Sequence, residues 1–350
     1  MRIMQVMAGA DRGGAETAFV DMCLALREAG IEQRVVTRAN DLRVPQLREA
    51  GLQVDCLPFG GYPDIYTPYK IGKLIRAWQP KIVQTWMARA SWKVPRLQNA
   101  QHLTVSRLGG YYNLKYFKAT DYFTTITPDI REYLIKEGVA PERVVHINNF
   151  AETEIVTQTL SKTDLATPED AIAVLVLARL HPSKAIDTLI RAAATLPRVH
   201  VWVAGEGELR TELEALAATL GIASRVHFLG WRSDRAALLQ ACDICVFPSR
   251  YEPFGTVFVQ AWANRTPVIC SRADGPRQFV KDGKDGLLFD IDDVAALAGS
   301  IQTLTDNKDL CAQLVDAGYT RYENEFTRQK TVQAYLDFYE GILQRAGIAA

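Results

Sequence analysis

No acidic residue occurs between Ile65 and Thr120, a span that holds ten lysines and arginines. A surface of mixed charge interleaves both signs, so this absence points the N-terminal half toward something anionic. Downstream the bias reverses: formal charge is +6 over residues 1–150 and −6 over 151–350. The two cancel, and no nucleic-acid-binding motif accompanies the basic span, which argues against nucleic acid as the partner. Long apolar runs are missing too. The longest, "AIAVLVLA" at Ala171–Ala178, falls far short of the ~18 residues a membrane span needs. The opening "MRIMQVMAGADRGG" lacks the form of a signal peptide, and the expectation is a cytoplasmic protein. Six cysteines follow no spacing framework, and the one CxxC, at Cys242 and Cys245, lies in an apolar run without a second pair or nearby histidines. It reads as core packing rather than zinc or redox chemistry. "DIDD" at Asp290–Asp293 runs straight into "VAALAGSIQTL" and reads as acids at a helix start, so no metal site is expected.

What the chain does have is length and alternation. Its 350 residues, 48% of them hydrophobic, suffice for two packed cores. "RIMQVM" predicts a strand, "AGADRGG" a turn, and "AETAFVDMCLALREAG" a helix with Phe19, Met22, Cys23 and Leu26 on one face. Strand-like runs recur at "QRVVT", "VDCLP", "KIVQTW", "HLTVS", "YFTTIT" and "RVVHIN". Such alternation implies a parallel sheet covered on both faces. A polar, Thr-rich stretch from Ala151 to Asp170 reads as a connection, after which the strand–helix pattern restarts at "AIAVLVLARL". Two doubly wound units are therefore expected, with ligands beyond the carboxyl ends of their strands.

Three turns occupy such positions: Gly13–Gly14, Arg179–Lys184 and Glu252–Thr256. Glu252, in "PSRYEPFGTVFVQAWANRTPV", has two readings. It is either a cap for the helix that follows, or an acceptor for a ligand's hydroxyls while Gly255 lets backbone amides approach its phosphate. "GEGELR" places Arg210 where a dinucleotide fingerprint has its third glycine, which argues against NAD.

The second half, through "ARLHPSKAIDTLIRA", "VAGEGELRTELEALA", "VHFLGW", "ACDICVFPSRYEPFGTVFVQAWANRTPVI" and "DGKDGLLF", resembles the retaining GT-B glycosyltransferases. The group is the large bacterial, family 4-like one that includes lipopolysaccharide core, mannosyl and sucrose-type transferases. "GGAE" after the first strand carries the resemblance in the first half. The resemblance implies an α/β fold of the GT-B type, two Rossmann-like doubly wound domains facing a central cleft. The expected limits are 1–160 for the acceptor domain, 161–328 for the nucleotide-sugar domain, and 329–350 for a helix crossing back to the first.

The resemblance also implies the donor site. Arg179 and Lys184 would grip the donor diphosphate, with Gly14 close to it. Leu229, Gly230 and Trp231 would sit beside the base, and Glu252 would bind sugar hydroxyls, aided by amides of Phe254, Gly255 and Thr256. Arg179, Lys184 and Glu252 are the expected catalytic residues. Two positions depart from the family pattern: Gln260 stands where a ribose-binding glutamate is usual, and Gln278 replaces an expected acid. An amide still accepts from one hydroxyl and donates to another, with a weaker contact than a carboxylate makes. No histidine occurs in "VSRLGGYYN", where relatives carry one near the acceptor, and Arg107 is the nearest polar candidate.

The expected activity is metal-independent, retaining hexosyl transfer from a nucleotide sugar to a glycan or glycolipid, in lipopolysaccharide or other surface-polysaccharide synthesis. A UDP-sugar is favoured over GDP- or ADP-sugars, and no cofactor is required. Arg107, Tyr111, Tyr112, Lys115 and Lys118 are the expected acceptor face for an anionic glycolipid, with an anionic membrane surface a candidate peripheral partner. Two rivals stay open: an epimerase or hydrolase of sugar nucleotides on the same fold, and a nucleotide-sugar-binding protein with impaired catalysis.

Overall fold

The computed structural model describes residues 1–11, 13–98, 101–151 and 156–349. Arg12 of the first glycine turn, residues 99–100 of the basic span and residues 152–155 of the polar connection thus lie outside the described residues. The chain divides into two compact units, residues 1–149 with 328–350 and residues 150–327.

In chain order the first unit contains β1 (Arg2–Met7), α1 (Gly14–Glu28), β2 (Glu32–Thr37), α2 (Arg43–Glu49), β3 (Gln53–Cys56) and α3 (Tyr66–Trp78). It continues with β4 (Ile82–Trp86), α4 (Met87–Lys93), β5 (Leu103–Leu108), β6 (Tyr122–Thr125), α5 (Pro128–Lys136) and β7 (Val144–His146). The strands form one sheet in the order β3-β2-β1-β4-β5-β6-β7, every pair parallel. Each strand is short, three to six residues. Met4, Val6 and Val83 of the sheet pack against Ile71 and Ile75 of α3 and Ala90 of α4, so helix-spaced apolar residues close over the strands.

The second unit contains β8 (Ile172–Leu177), α6 (Ile186–Ala194), β9 (Val199–Ala204), α7 (Arg210–Thr219), β10 (Val226–Gly230), α8 (Arg235–Ala241) and β11 (Ile244–Phe247). Then come α9 (Thr256–Ala263), β12 (Val268–Ser271), α10 (Pro276–Phe279), β13 (Leu287–Phe289), α11 (Val294–Asp306) and α12 (Lys308–Arg321). Its sheet runs β10-β9-β8-β11-β12-β13, again parallel throughout. All six residues of β8 are buried, as a strand covered on both faces requires. Val174 and Val176 meet Leu189 and Ile190 of α6, and each such side chain removed from water stabilises by roughly 1.5–3 kcal/mol. Asp293 caps α11 by accepting from the Ala296 N–H at 2.9 Å, and Cys242 and Cys245 lie inside this core. Burial pushes the Cys245 thiol up to about 12, so it stays protonated.

The polar connection is partly packed rather than free. Thr167 accepts a hydrogen bond from the Trp202 indole at 2.8 Å, and Lys162 pairs with Asp243 at 2.7 Å, which fixes that stretch onto the second unit. The last helix, α13 (Arg328–Arg345), belongs to the first unit: the Tyr339 hydroxyl donates to Gln84 at 2.8 Å and Arg328 pairs with Glu28.

In both sheets the order of strands reverses beside the first strand, between β1 and β4 and between β8 and β11. At such a reversal the helices leave toward opposite faces and a crevice opens beyond the strand ends. The residues of interest collect there.

Candidate functional site

Beyond β8 the chain turns through Arg179 and a single helical turn, Pro182–Lys184, before Ala185, with φ of 48°, starts α6. Beyond β11 it turns through Glu252 to Gly255, which starts α9. The Lys184 ammonium lies 2.5 Å from Glu252 Oε2, both side chains about four-fifths covered, so the two turns meet in a charged pair. No side chain caps either helix, which leaves N–H groups at the mouths of α6 and α9. Arg179 is exposed and its guanidinium has no hydrogen bond or ion pair among the described residues. The combination is one cation spent on the acid, one cation free, and two positive helix ends: a setting for an anionic ligand that also offers hydroxyls.

The pair is held by a residue that the sequence alone did not single out. Arg250 donates from its backbone N–H to the Ser183 carbonyl at 2.8 Å and from its guanidinium to the Pro182 carbonyl at 2.7 Å. The same guanidinium pairs with Asp187 at 2.8 Å and Asp292 at 2.9 Å, partners 63 and 42 residues away. Asp187 and Asp292, bonding it against some desolvation, raise the Arg250 pKa further. The signal was a basic residue two places before Glu252, but its acids are too far along the chain for spacing to reveal.

Gly255 is required here. Its φ is +93°, and a Cβ would stand 2.7 Å from the Phe247 ring, so both backbone and space exclude a side chain. Phe254 points away into an aromatic cluster with Phe258, Phe279 and Phe326, which leaves only its backbone to face a ligand. Thr256 is exposed at the first position of α9, and Gln260 is buried one turn on. Gln278 donates to the Asp274 carbonyl within the neighbouring loop, and the Gly275 N–H donates to the Glu252 carbonyl at 2.7 Å. The Asp274–Gly275 loop, tied to α10 by Gln278, thus braces Glu252 from behind.

The glycines of "GEGELR" serve packing between loops. A Cβ on Gly205 would stand 1.9 Å from the Ala178 carbonyl oxygen and one on Gly207 2.3 Å from that of Leu180, so the loops after β8 and β9 lie backbone to backbone. Arg210, the first residue of α7, pairs with Glu206 of the preceding loop and with Glu214 one turn along the helix. At the end of β10, Leu229 and Gly230 are half-buried and Trp231 is 80% exposed, a surface side chain.

The first unit has a cavity of about 580 Å³ at its own reversal point, between the turn after β1 and the start of α4. Glu16, Arg38, Arg89, Trp92, Tyr112 and Tyr116 line it. Glu16 accepts from the Ala10 N–H at 2.7 Å, while Arg38 donates to the Pro58 carbonyl at 3.0 Å. Arg89 is exposed and without a partner among the described residues. Met87 enters α4 with φ of 63°, strained for a residue with a side chain, directly after Trp86 at the cavity wall. Gly14, the first residue of α1, is exposed, and a Cβ there would meet nothing.

The structure separates the expected acceptor residues. Tyr112 lines the cavity, and Lys115 lies over the Tyr116 ring beside it. Tyr111 packs edge-on against Tyr133, and Lys118 lines a smaller cavity of about 280 Å³ with Arg96 and Arg143. Arg107 is a correction: it is 2% exposed, stacks 4.3 Å over Trp86 and donates to Asn149 at 2.5 Å. Burial lowers its pKa, opposed by a hydrogen bond with Tyr335 of α13. β5 runs through Leu108, so Arg107 is a strand residue covered by a helix more than two hundred positions later, and it does not face an acceptor.

Residues 12–155 match the family model described as Glycosyltransferase Family 4, and residues 157–321 match Glycosyl transferases group 1. Over 343 residues the chain is 35% identical to the lipopolysaccharide core biosynthesis glycosyltransferase LpsE of Rhizobium meliloti (strain 1021), covering 96% of this chain and 98% of that one. The chain belongs to the glycosyltransferases. This glycosyltransferase is also 30% identical over 348 residues to LpsD of the same organism, covering 99% and 100% of the two chains. Its fold is GT-B: it matches the crystal structure of Anabaena HepE in complex with UDP at a TM-score of 0.82 and 20% identity, over 97% of this glycosyltransferase and all of that chain.

Proposed function

We propose that this glycosyltransferase moves a hexose, with retention of configuration and without a metal ion, from a nucleotide sugar to a glycan or glycolipid acceptor in lipopolysaccharide core synthesis. The reading is carried by the Lys184–Glu252 pair at 2.5 Å, with Arg179, exposed and without a partner among the described residues, in the same turn after β8 at the reversal point of the second sheet. Arg179 and Lys184 receive the donor diphosphate and stabilise the charge that grows as the nucleotide departs, the task a divalent ion performs elsewhere. An ammonium has three donors, so Lys184 keeps Glu252 while it meets a phosphate oxygen. Glu252 accepts from the sugar hydroxyls, the backbone at Phe254 to Thr256 holds the sugar and phosphate, Gln260 meets the ribose, and Leu229 to Trp231 the base. In the first unit Gly14 lets α1 present N–H groups to phosphate, and the aromatic cavity takes the acceptor.

HepE, solved with UDP and with UDP-glucose, supports a UDP-sugar donor, and LpsE and LpsD support the lipopolysaccharide core. Thermal-shift titration with UDP, GDP and ADP tests the donor, with UDP expected to raise Tm most. Transfer in excess chelator tests metal independence, and the anomeric configuration of the product by NMR tests retention. No shift with any of the three nucleotides overturns the donor site.

A further inference from the structure

The basic, acid-free span begins at Ile65, at the mouth of α3, where the preceding turn and the helix's first turn expose apolar surface that the fold does not need to expose. Tyr62 is 93% exposed, Ile65 82% and Tyr69 66%, with Tyr66 about half exposed between them. The opposite face of α3 is the packed one, through Thr67, Ile71 and Ile75. The outward stripe continues along the same face with Lys73 and Arg76, and Lys70 lies 5.4 Å over the Tyr66 ring. One end of the face is therefore aromatic and the other cationic.

The one acid at its edge is already spent. Asp64 accepts from the Gly60 and Thr67 N–H groups, at 2.8 and 3.0 Å, and pairs with Lys93 at 3.4 Å. Lys93, buried on α4, also donates to the carbonyls of Gly61 and Asp64 at 3.3 and 2.9 Å. A buried lysine thus clamps the turn that carries Tyr62 and Ile65. Large apolar side chains held outward on a braced turn, with cations alone beside them, match a bilayer interface: tyrosines sit at the headgroup level, an aliphatic chain enters below, and lysines meet lipid phosphate. A protein partner would be met by charges of both signs, and these are absent from the face.

We propose that the Tyr62–Arg76 face docks this glycosyltransferase on an anionic lipid surface, with Tyr62, Ile65 and Tyr69 at the headgroup–acyl boundary and Lys70, Lys73 and Arg76 at lipid phosphates. The same clamp that holds the face, Lys93, follows Trp92 of the aromatic cavity on α4, so docking sets that cavity beside the membrane. This deepens the glycolipid reading above and rests on it for its purpose, though not for the lipid contact itself.

The test is co-sedimentation of the full chain with vesicles of phosphatidylcholine alone and with about 30% phosphatidylglycerol, at low and high salt. Binding is expected to be at least ~10-fold stronger to the anionic vesicles and to weaken as salt rises. The triple variant Tyr62→Ser, Ile65→Ser, Tyr69→Ser and the double variant Lys70→Glu, Lys73→Glu should each lose at least ~10-fold of that binding. Both should keep the parent's UDP-induced thermal shift, which separates loss of docking from loss of fold. Equal binding to neutral vesicles, no binding to either, or variants that bind like the parent overturn the proposal. So does a parent dimer that the triple variant converts to monomer, since a second copy would then be the cover. If vesicles bind as expected while no nucleotide shifts Tm, the donor reading fails and the docking face stands.

Discussion

The two sheets reverse strand order at equivalent places, yet the turns beyond them are built from different materials. Beyond β8 and β11 charge is locked in place: Lys184 to Glu252, and Arg250 to both Asp187 and Asp292. Beyond β1 and β4 the wall is aromatic, with Arg89 exposed and without a partner among the described residues and Trp92 half in solvent. Fixed charge suits a ligand whose own charge never changes from one relative to another, such as a diphosphate. Stacking surfaces suit a ligand recognised by shape.

Breaking the rigid side of that contrast should give the largest effect. Gly255→Ala forces a side chain to φ of +93° against Phe247 and should cost about 3 kcal/mol of stability, read from urea denaturation. A change below half of that would mean the turn yields. Next come Arg179→Ala and Lys184→Ala, each expected to lower the transfer rate by at least ~100-fold with an unchanged circular dichroism spectrum. Near-normal rates in both would remove the donor site from the second unit.

The aromatic side is probed by Trp92→Ala, for which the acceptor's KM should rise about 10-fold while nucleotide affinity stays put. A loss of nucleotide affinity instead would move the donor to the first unit. Smaller still is the ribose contact: Gln260→Ala should weaken UDP binding by about 1 kcal/mol, and Gln260→Glu should restore or tighten it. Calorimetry decides, and a glutamate variant that binds worse than the alanine one would assign the amide to packing alone.

Acid should weaken both units, and mildly. Burial lowers the imidazole pKa of His102 and His146 in the first unit and of His200 and His227 in the second. The unfolded chain takes up protons near 6.5 while the folded one resists, so stability is full above that pH and is lost as pH falls below it. Tm should drop between pH 7 and pH 5, less so in His227→Gln. A flat Tm over that range would contradict the lowered imidazole pKa of these half-buried side chains.

Much of the architecture was legible because it rests on local patterns. Each run named as a strand in the first half became one, since alternating strands and helix-spaced apolar residues state which faces must be buried. The acids before α11 were legible for a similar reason: a helix start makes demands within a few residues. How the polar connection packs at Lys162 and Thr167 was not legible, because their partners Asp243 and Trp202 lie far along the chain.

By itself, then, the sequence determined that two parallel sheets would form, where their turns would fall, and that cations and an acid would stand at those turns. Tertiary structure alone decided which of those charges remain available. Arg250 is consumed by two distant acids and Arg107 is sealed between Trp86 and Tyr335, while Arg179, Arg89 and the Tyr62 face stay open. The reason is physical: backbone pattern is set by neighbours a few residues apart, whereas the solvation and pairing of a charge depend on whichever segment the fold brings against it, at any separation along the chain.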